Sequence, residues 1–135
     1  MVAMTLNEKP YQILITDDDE GCRETVRDAL AENGYRTQVA TCGREAIEVA
    51  RKTFVHVLIV DMNMPDLSGV ETVTVIRQET SANVPSILMS ADLSRQIMTA
   101  ALAAHFESFM PKPLKVDLLR RVVEEIICKR YESEQ

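Results

Sequence analysis

The stretch VLIVDMNMPDLSG, residues 57–69, decides how the chain reads. Four apolar residues run straight into Asp61, and Pro65 and Gly69 follow. With His56 ahead of it, the run has the length of a strand. It is apolar at successive positions rather than at alternate ones, which is the pattern of a strand buried on both faces. Such a strand belongs inside a parallel sheet covered by helices on both sides. An Asp after a strand is most often a turn former or a helix cap. Whether Asp61 does more depends on what else reaches the same end of the sheet.

Working outward, strand and helix patterns alternate along the chain. YQILIT (11–16) is a short apolar run. DEGCRETVRDALAENG (19–34) places Val26, Ala29 and Leu30 on one helical face and ends in the Asn33-Gly34 stop signal. RTQVA (36–40) is a weaker strand, and GREAIEVARK (43–52) is a helix with Ala46, Ile47 and Ala50 together. After the central run, residues 68–80 are helical by the spacing of Val70, Val73 and Ile76. VPSILMS (84–90) is a strand with Pro85 near its start, where a missing N–H is tolerable. SRQIMTAALAAH (94–105) is a helix expected to turn Ile97, Met98, Ala101 and Leu102 inward. ESFM (107–110) is a short strand. The last helix (114–131) carries Val116, Leu118, Leu119, Val122, Val123, Ile126 and Ile127 over about half its circumference, at roughly 100° per residue. Such a stripe fits a well-buried helix, or one that also serves as a dimer or partner surface. Five strands alternating with five helices predict a doubly wound parallel sheet that binds ligands at the carboxyl ends of its strands.

At those ends the sequence places a chemical set. The first strand ends in Asp17, Asp18, Asp19 and Glu20, the third in Asp61, the fourth in Ser90, and the fifth is followed by Lys112 between Pro111 and Pro113. Asp19 and Glu20 suit a helix N-terminus. Asp17, Asp18 and Asp61 would crowd like charges into one pocket, which is costly unless a cation joins them. Carboxylates in an open cleft suit Mg²⁺. A divalent ion, an ammonium and a hydroxyl together suit a phosphoryl group, and Asp61 is then placed to act as the nucleophile that forms an acyl phosphate. His56 begins a strand and His105 ends a helix, so neither is assigned chemistry. Met62 and Met64 read as loop packing.

Totals agree with one soluble domain. The chain has 135 residues, 46% hydrophobic and 27% charged, and a net charge of -6. So acidic a chain is a poor non-specific binder of nucleic acid or anionic membrane. Cys22, Cys42 and Cys128 lack metal-ligand spacing and read as reduced cytosolic thiols. No signal peptide and no membrane span is evident, so a cytoplasmic location is expected.

From residue 11 to about residue 129 the chain resembles the receiver domain of two-component response regulators. ILITDDD, VLIVDMNMPDLSG, ILMSA and FMPKPL carry the resemblance, in order and at the right spacing. It implies a flavodoxin-like (βα)5 fold with strand order 2-1-3-4-5. It implies a domain over 11–130, between tails 1–10 and 131–135. Asp61 would accept a phosphoryl group from a sensor histidine kinase or phosphotransfer protein. Asp17 and Asp18 match the acidic pair that holds Mg²⁺ together with Asp61, and the Asn63 backbone carbonyl completes the protein ligands. Ser90 and Lys112 match the residues that bond the phosphoryl oxygens. Ser90 and Phe109 match the switch pair, biasing a surface of helix four, strand five and helix five through which a homodimer could form. Such a domain is not an enzyme in the ordinary sense, although it catalyses its own phosphorylation and dephosphorylation. Asn63 and Asp92 match positions that tune the lifetime of the phosphoryl group. The Lys112-Pro113 bond is often cis in this family.

His105-Phe106 replaces the commoner Gly-Ala, and His enters a left-handed cap less easily than Gly. Two other readings stand beside the phosphoacceptor. A degenerate receiver could act as a protein-binding module, against which the intact Asp17, Asp18, Asp61, Ser90 and Lys112 set argues. A Mg²⁺-dependent phosphohydrolase of the haloacid-dehalogenase type needs an Asp two residues past its nucleophile, where this chain has Asn63.

Overall fold

Alternate side chains of the central strand feed two separate cores. Val57 and Ile59 point to one face of the sheet, Leu58 and Val60 to the other, and all four are buried. The computed structural model describes residues 9–132. Within them, β1 (Gln12–Thr16), α1 (Glu20–Glu32), β2 (Arg36–Ala40), α2 (Gly43–Lys52), β3 (Val57–Asp61), α3 (Gly69–Thr80), β4 (Ser86–Ser90), α4 (Arg95–Ala103), β5 (Ser108–Pro111) and α5 (Val116–Ile127) follow in strict alternation. Residues 1–8 and 133–135, the outer parts of the two expected tails, lie outside the described residues.

The strands pair in parallel in the order β2-β1-β3-β4-β5, the order expected. On one face α1 and α5 cover the sheet, with Val26, Leu30, Leu119, Val123, Ile126 and Ile127 against Ile13, Ile15, Ile59 and Met89. On the other, α2, α3 and α4 bring Ala46, Ile47, Val73, Ile76 and Ala101 against Leu14, Leu58, Val60 and Leu88. Ile59 is 0% exposed between β1 and β4. Ile59→Ala is expected to cost about 2–5 kcal/mol, read from urea denaturation, because the sheet cannot collapse around the lost volume.

Helix ends follow local chemistry. Ser68 and Glu71 form a reciprocal capping box at the start of α3. The stop signal at the end of α1 behaves as expected. Gly34 takes φ 91, and Gly34 N and Tyr35 N donate back to Ala31 O and Leu30 O.

Two expectations for α4 are corrected or resolved. Met98 and Leu102 do not face inward: they are 36% and 62% exposed. The buried stripe instead runs through Ala101, with Ile97 and Ala104 packed beside it. Ala101 is the one fully buried residue of this helix, and the row through Met98 and Leu102 lies on its outer side. At its exit, His105 does adopt the left-handed conformation, φ 61. His105 N and Phe106 N donate to Leu102 O and Ala101 O, so the cap closes as it would around glycine. Arg77 of α3 supports it from outside. Its guanidinium donates to the carbonyls of Ala104, His105 and Val84 and lies 5.9 Å from the centre of the Phe106 ring.

On α5 the broad apolar stripe is mostly covered. Leu119, Val123, Ile126 and Ile127 are buried, and Leu118 is left out at 39% exposed. A π-helical turn, Cys128–Glu132, continues α5. Its Tyr131 hydroxyl donates to His56 O at 2.7 Å, at the amino-terminal end of the strands. His56 is enclosed there by Tyr11, Phe54 and Tyr131, and its Nδ1 accepts from Gln12 N at 2.9 Å. Burial holds this imidazole below its ordinary pKa.

Candidate functional site

The carboxyl ends of β1, β3 and β4 and the loop after β5 meet at one edge of the sheet. There Asp17, Asp18 and Asp61 each present a carboxylate oxygen within 4.8 Å of one another. Asp17 and Asp61 are buried, whereas Asp18 is exposed. Lys112 reaches in from the β5–α5 loop, where the Lys112-Pro113 bond is cis. Its Nζ lies 2.8 Å from Asp17 Oδ2 and 3.3 Å from Asp61 Oδ2.

The charges are unequal in their surroundings. Burial alone would raise the Asp17 carboxyl, but the Lys112 ammonium and the Asp19 amide outweigh it and hold it below its ordinary value. Asp61 is pushed up to about 6, first by burial and then by the Asp17 charge. For Lys112 burial works downward, yet the two carboxylates raise it to about 12. One ammonium is thus shared between Asp17 and Asp61, with the Asp18 carboxylate close by. Asp17 Oδ1 accepts from Asp19 N at 2.9 Å. Asp17 Oδ2, fully buried, lies 2.8 Å from the Lys112 ammonium. Three converging carboxylates outnumber the single ammonium in contact with two of them, and such a set of hard oxygens would be neutralised by a hard cation, so the residues present fit Mg²⁺.

The remaining expected residues sit at the end of β4 (Ser90), just after β3 (Asn63) and within β5 (Phe109). Ser90 is buried, and its hydroxyl donates to Asp92 O at 2.8 Å and accepts from Asp92 N at 3.1 Å. Asn63 is exposed, with its N–H 3.5 Å from Asp61 Oδ1. Phe109 is half-buried against the core beneath α2, α3 and α4. A cleft of about 470 Å³ opens beside Lys112, lined by Cys22, Thr25, Ala91, Pro113 and Leu114 among others. Another, of about 410 Å³, lies between α2 and α3 at the far end of the molecule.

Two neighbours were not foreseen. Arg23 Nη1 donates to Asp17 O at 2.8 Å, and the Cys22 thiol is pushed up to about 12 by burial and by Asp17. Both lie in the first turn of α1, directly above the end of β1. The helix start placed there by the sequence carried that signal.

The sequence profile described as "Response regulator receiver domain" matches residues 13–124. The chain belongs to this receiver-domain family. Similar receivers include the response regulator MprA of Mycolicibacterium vanbaalenii, 33% identical over 110 residues, 82% of this chain and 47% of that protein. MprA of Mycobacterium leprae is 34% identical over 112 residues, 82% of this chain and 49% of that one. This receiver therefore spans about half the length of the curated relatives it matches. Among solved structures, the Vibrio cholerae chemotaxis protein CheY4 superposes with a TM-score of 0.82 at 26% identity, over 86% of this receiver and 98% of that chain. A two-component response regulator from Clostridium difficile shares the fold, with a TM-score of 0.84 at 24% identity over 91% and 99% of the two chains.

Proposed function

We propose that this receiver domain takes a phosphoryl group onto Asp61 from a phosphohistidine of a sensor histidine kinase or phosphotransfer protein, in a Mg²⁺-dependent reaction. The observation that carries this reading is the convergence of three carboxylates, two of them buried, with Lys112 in contact with Asp17 and Asp61. Asp17, Asp18 and Asp61, with the Asn63 backbone carbonyl, would hold the ion. When bound, Mg²⁺ would neutralise the carboxylates and the charge of the incoming phosphoryl oxygens.

Asp61, ionised, attacks phosphorus through a carboxylate oxygen. A P–O bond forms as the P–N bond to the donor imidazole breaks, and the imidazole leaves with the bonding pair. Lys112 is already in contact with Asp61 and is placed to pair with a phosphoryl oxygen. Ser90 supplies a hydroxyl once its turn with Asp92 opens. Phe109 then has room to move inward, which would bias the surface of α4, β5 and α5. Exposed Met98, Leu102 and Leu118 make part of that surface apolar, as a homodimer or partner contact requires. The domain extends over 11–130 on this reading and works in the cytoplasm. No helix among the described residues is long and apolar enough to cross a membrane.

Intact-protein mass after incubation with phosphoramidate or acetyl phosphate tests the reading. One added phosphoryl group is expected with Mg²⁺ and none with EDTA. Folded protein that binds Mg²⁺ yet gains no mass from these donors points to a receiver that needs its own kinase, and no gain from a phosphohistidine donor protein either would overturn the reading.

A further inference from the structure

The N-terminus of α2 lacks a cap of its own, since Cys42 makes no side-chain hydrogen bond there. Its free amides are satisfied from the loop after Asp61. Gly43 N and Arg44 N donate to Asp66 Oδ1 and Oδ2 at 3.0 and 2.8 Å. Asp66 Oδ1 also accepts from Leu67 N at 2.8 Å. Three backbone donors therefore converge on one carboxylate, and two of them come from another element. Slight burial works to raise this carboxyl, but the amides of Arg44, Gly43 and Leu67 hold it at about 2.

The approach of α2 to the loop is close. A Cβ on Gly43 would stand 2.4 Å from Thr72 Oγ1 and 2.9 Å from Leu67 Cβ, so only glycine lets the two surfaces meet. The loop is fixed at its start by Met62 N to Met89 O at 2.8 Å, and at its end by Gly69 N to Met62 O at 2.9 Å. Between those ties Asp66 is its hold on α2. Asn63 lies in the short span between Met62 and Asp66.

We propose that Asp66 is a positioning residue for the metal and phosphoryl site. By capping α2 from the loop, it fixes the stretch of backbone on which Asn63 presents its carbonyl. This inference rests on the reading that the site takes Mg²⁺. It differs from a plain helix cap in what it predicts. A cap alone changes the stability of α2, whereas a positioning residue also changes affinity at Asp17, Asp18 and Asp61, with which Asp66 shares no contact.

The test is Mg²⁺ titration of the whole chain, followed by amide chemical shifts at Asp17 and Asp18, for wild type, Asp66→Ala, Asp66→Asn and Gly43→Ala. Asp66→Ala is expected to bind Mg²⁺ about tenfold more weakly, in line with other residues that orient ligands from outside the coordination sphere. Asp66→Asn keeps one acceptor oxygen and should lose less. Gly43→Ala leaves Asp66 intact but pushes α2 off the loop, and should weaken binding as well. An Asp66→Ala protein that melts earlier yet binds Mg²⁺ like wild type would reduce Asp66 to a helix cap and overturn the inference. Should that variant fail to fold, Asp66→Asn and Gly43→Ala decide, and wild-type affinity in both overturns it equally. A wild-type protein that does not bind Mg²⁺ would instead defeat the metal reading, and the inference with it.

Discussion

Asp61→Asn gains no mass from phosphoramidate or acetyl phosphate under conditions that modify the wild type, because the amide offers no anionic oxygen to attack phosphorus. The same variant should reveal what the site costs the fold. Burial, and then the Asp17 charge, push Asp61 up to about 6. In the unfolded chain the carboxyl titrates near 3.8. The folded state therefore holds the Asp61 proton over a pH range where the unfolded state has lost it. That contribution to stability is present at low pH and is lost as pH rises through about 6. Asn has no such charge to pay for. With EDTA present, Asp61→Asn should melt above wild type at pH near 7.5, with the difference narrowing toward pH 5. Asp17 is shifted the other way, and its contribution fades only on further acidification. Equal melting differences at the two pH values would contradict the assigned electrostatics, and phosphorylation of the variant would contradict Asp61 as acceptor.

Lys112→Met removes the one ammonium shared by Asp17 and Asp61. It leaves a fully buried carboxylate facing a second one with no cation between them. Breaking a buried pair from one side costs about 3–5 kcal/mol, and Lys112, at 19% side-chain exposure, belongs near the lower figure. Mg²⁺ should restore part of this loss, since it neutralises the same oxygens. It should not restore the rate. Loss of a preorganised positive group at the developing charge is expected to slow phosphoryl transfer about 10²–10³-fold. Lys112→Arg separates the two effects. It keeps the charge, and with it much of the stability, but a planar guanidinium does not replace a compact ammonium in this position. Melting curves with and without Mg²⁺, beside phosphorylation rates, measure both. A Lys112→Met protein that phosphorylates at the wild-type rate would remove Lys112 from the chemistry.

The sheet was legible because its inner strands are buried on both faces. VLIV and SILMS are apolar or small throughout, and the structure buries every one of those residues, Asp61 with them. RTQVA reads as weaker for a physical reason: β2 is an edge strand, paired on one side only, and four of its five residues, all but Ala40, stay partly or fully exposed. The alternating pattern marks the strand ends, and the gathering of Asp17, Asp18, Asp61 and Lys112 follows once the strand order that the receiver resemblance implies is added. On α4 the apolar residues fall in two adjacent rows, Ile97–Ala101 and Met98–Leu102, and spacing alone does not say which row meets the core; the structure buries the first. Arg77 and Asp66 escaped notice for another reason. Their partners lie 27 and 28 residues away for Arg77 at α4, and 22 and 23 away for Asp66 at α2. Nothing in the local spacing of the chain points across those gaps.

The turn at Ser90 has a consequence for the resting molecule. Its hydroxyl is engaged twice with the Asp92 backbone, so anything that recruits it must first break both bonds. At about 0.5–1.5 kcal/mol each, the pair forms a latch worth about 1–3 kcal/mol. Between about one molecule in six and one in a hundred and fifty would then stand unlatched at any moment, before any phosphoryl group arrives. On the proposed role of Ser90, the strength of two hydrogen bonds in a tight turn would set the background against which a signal is read.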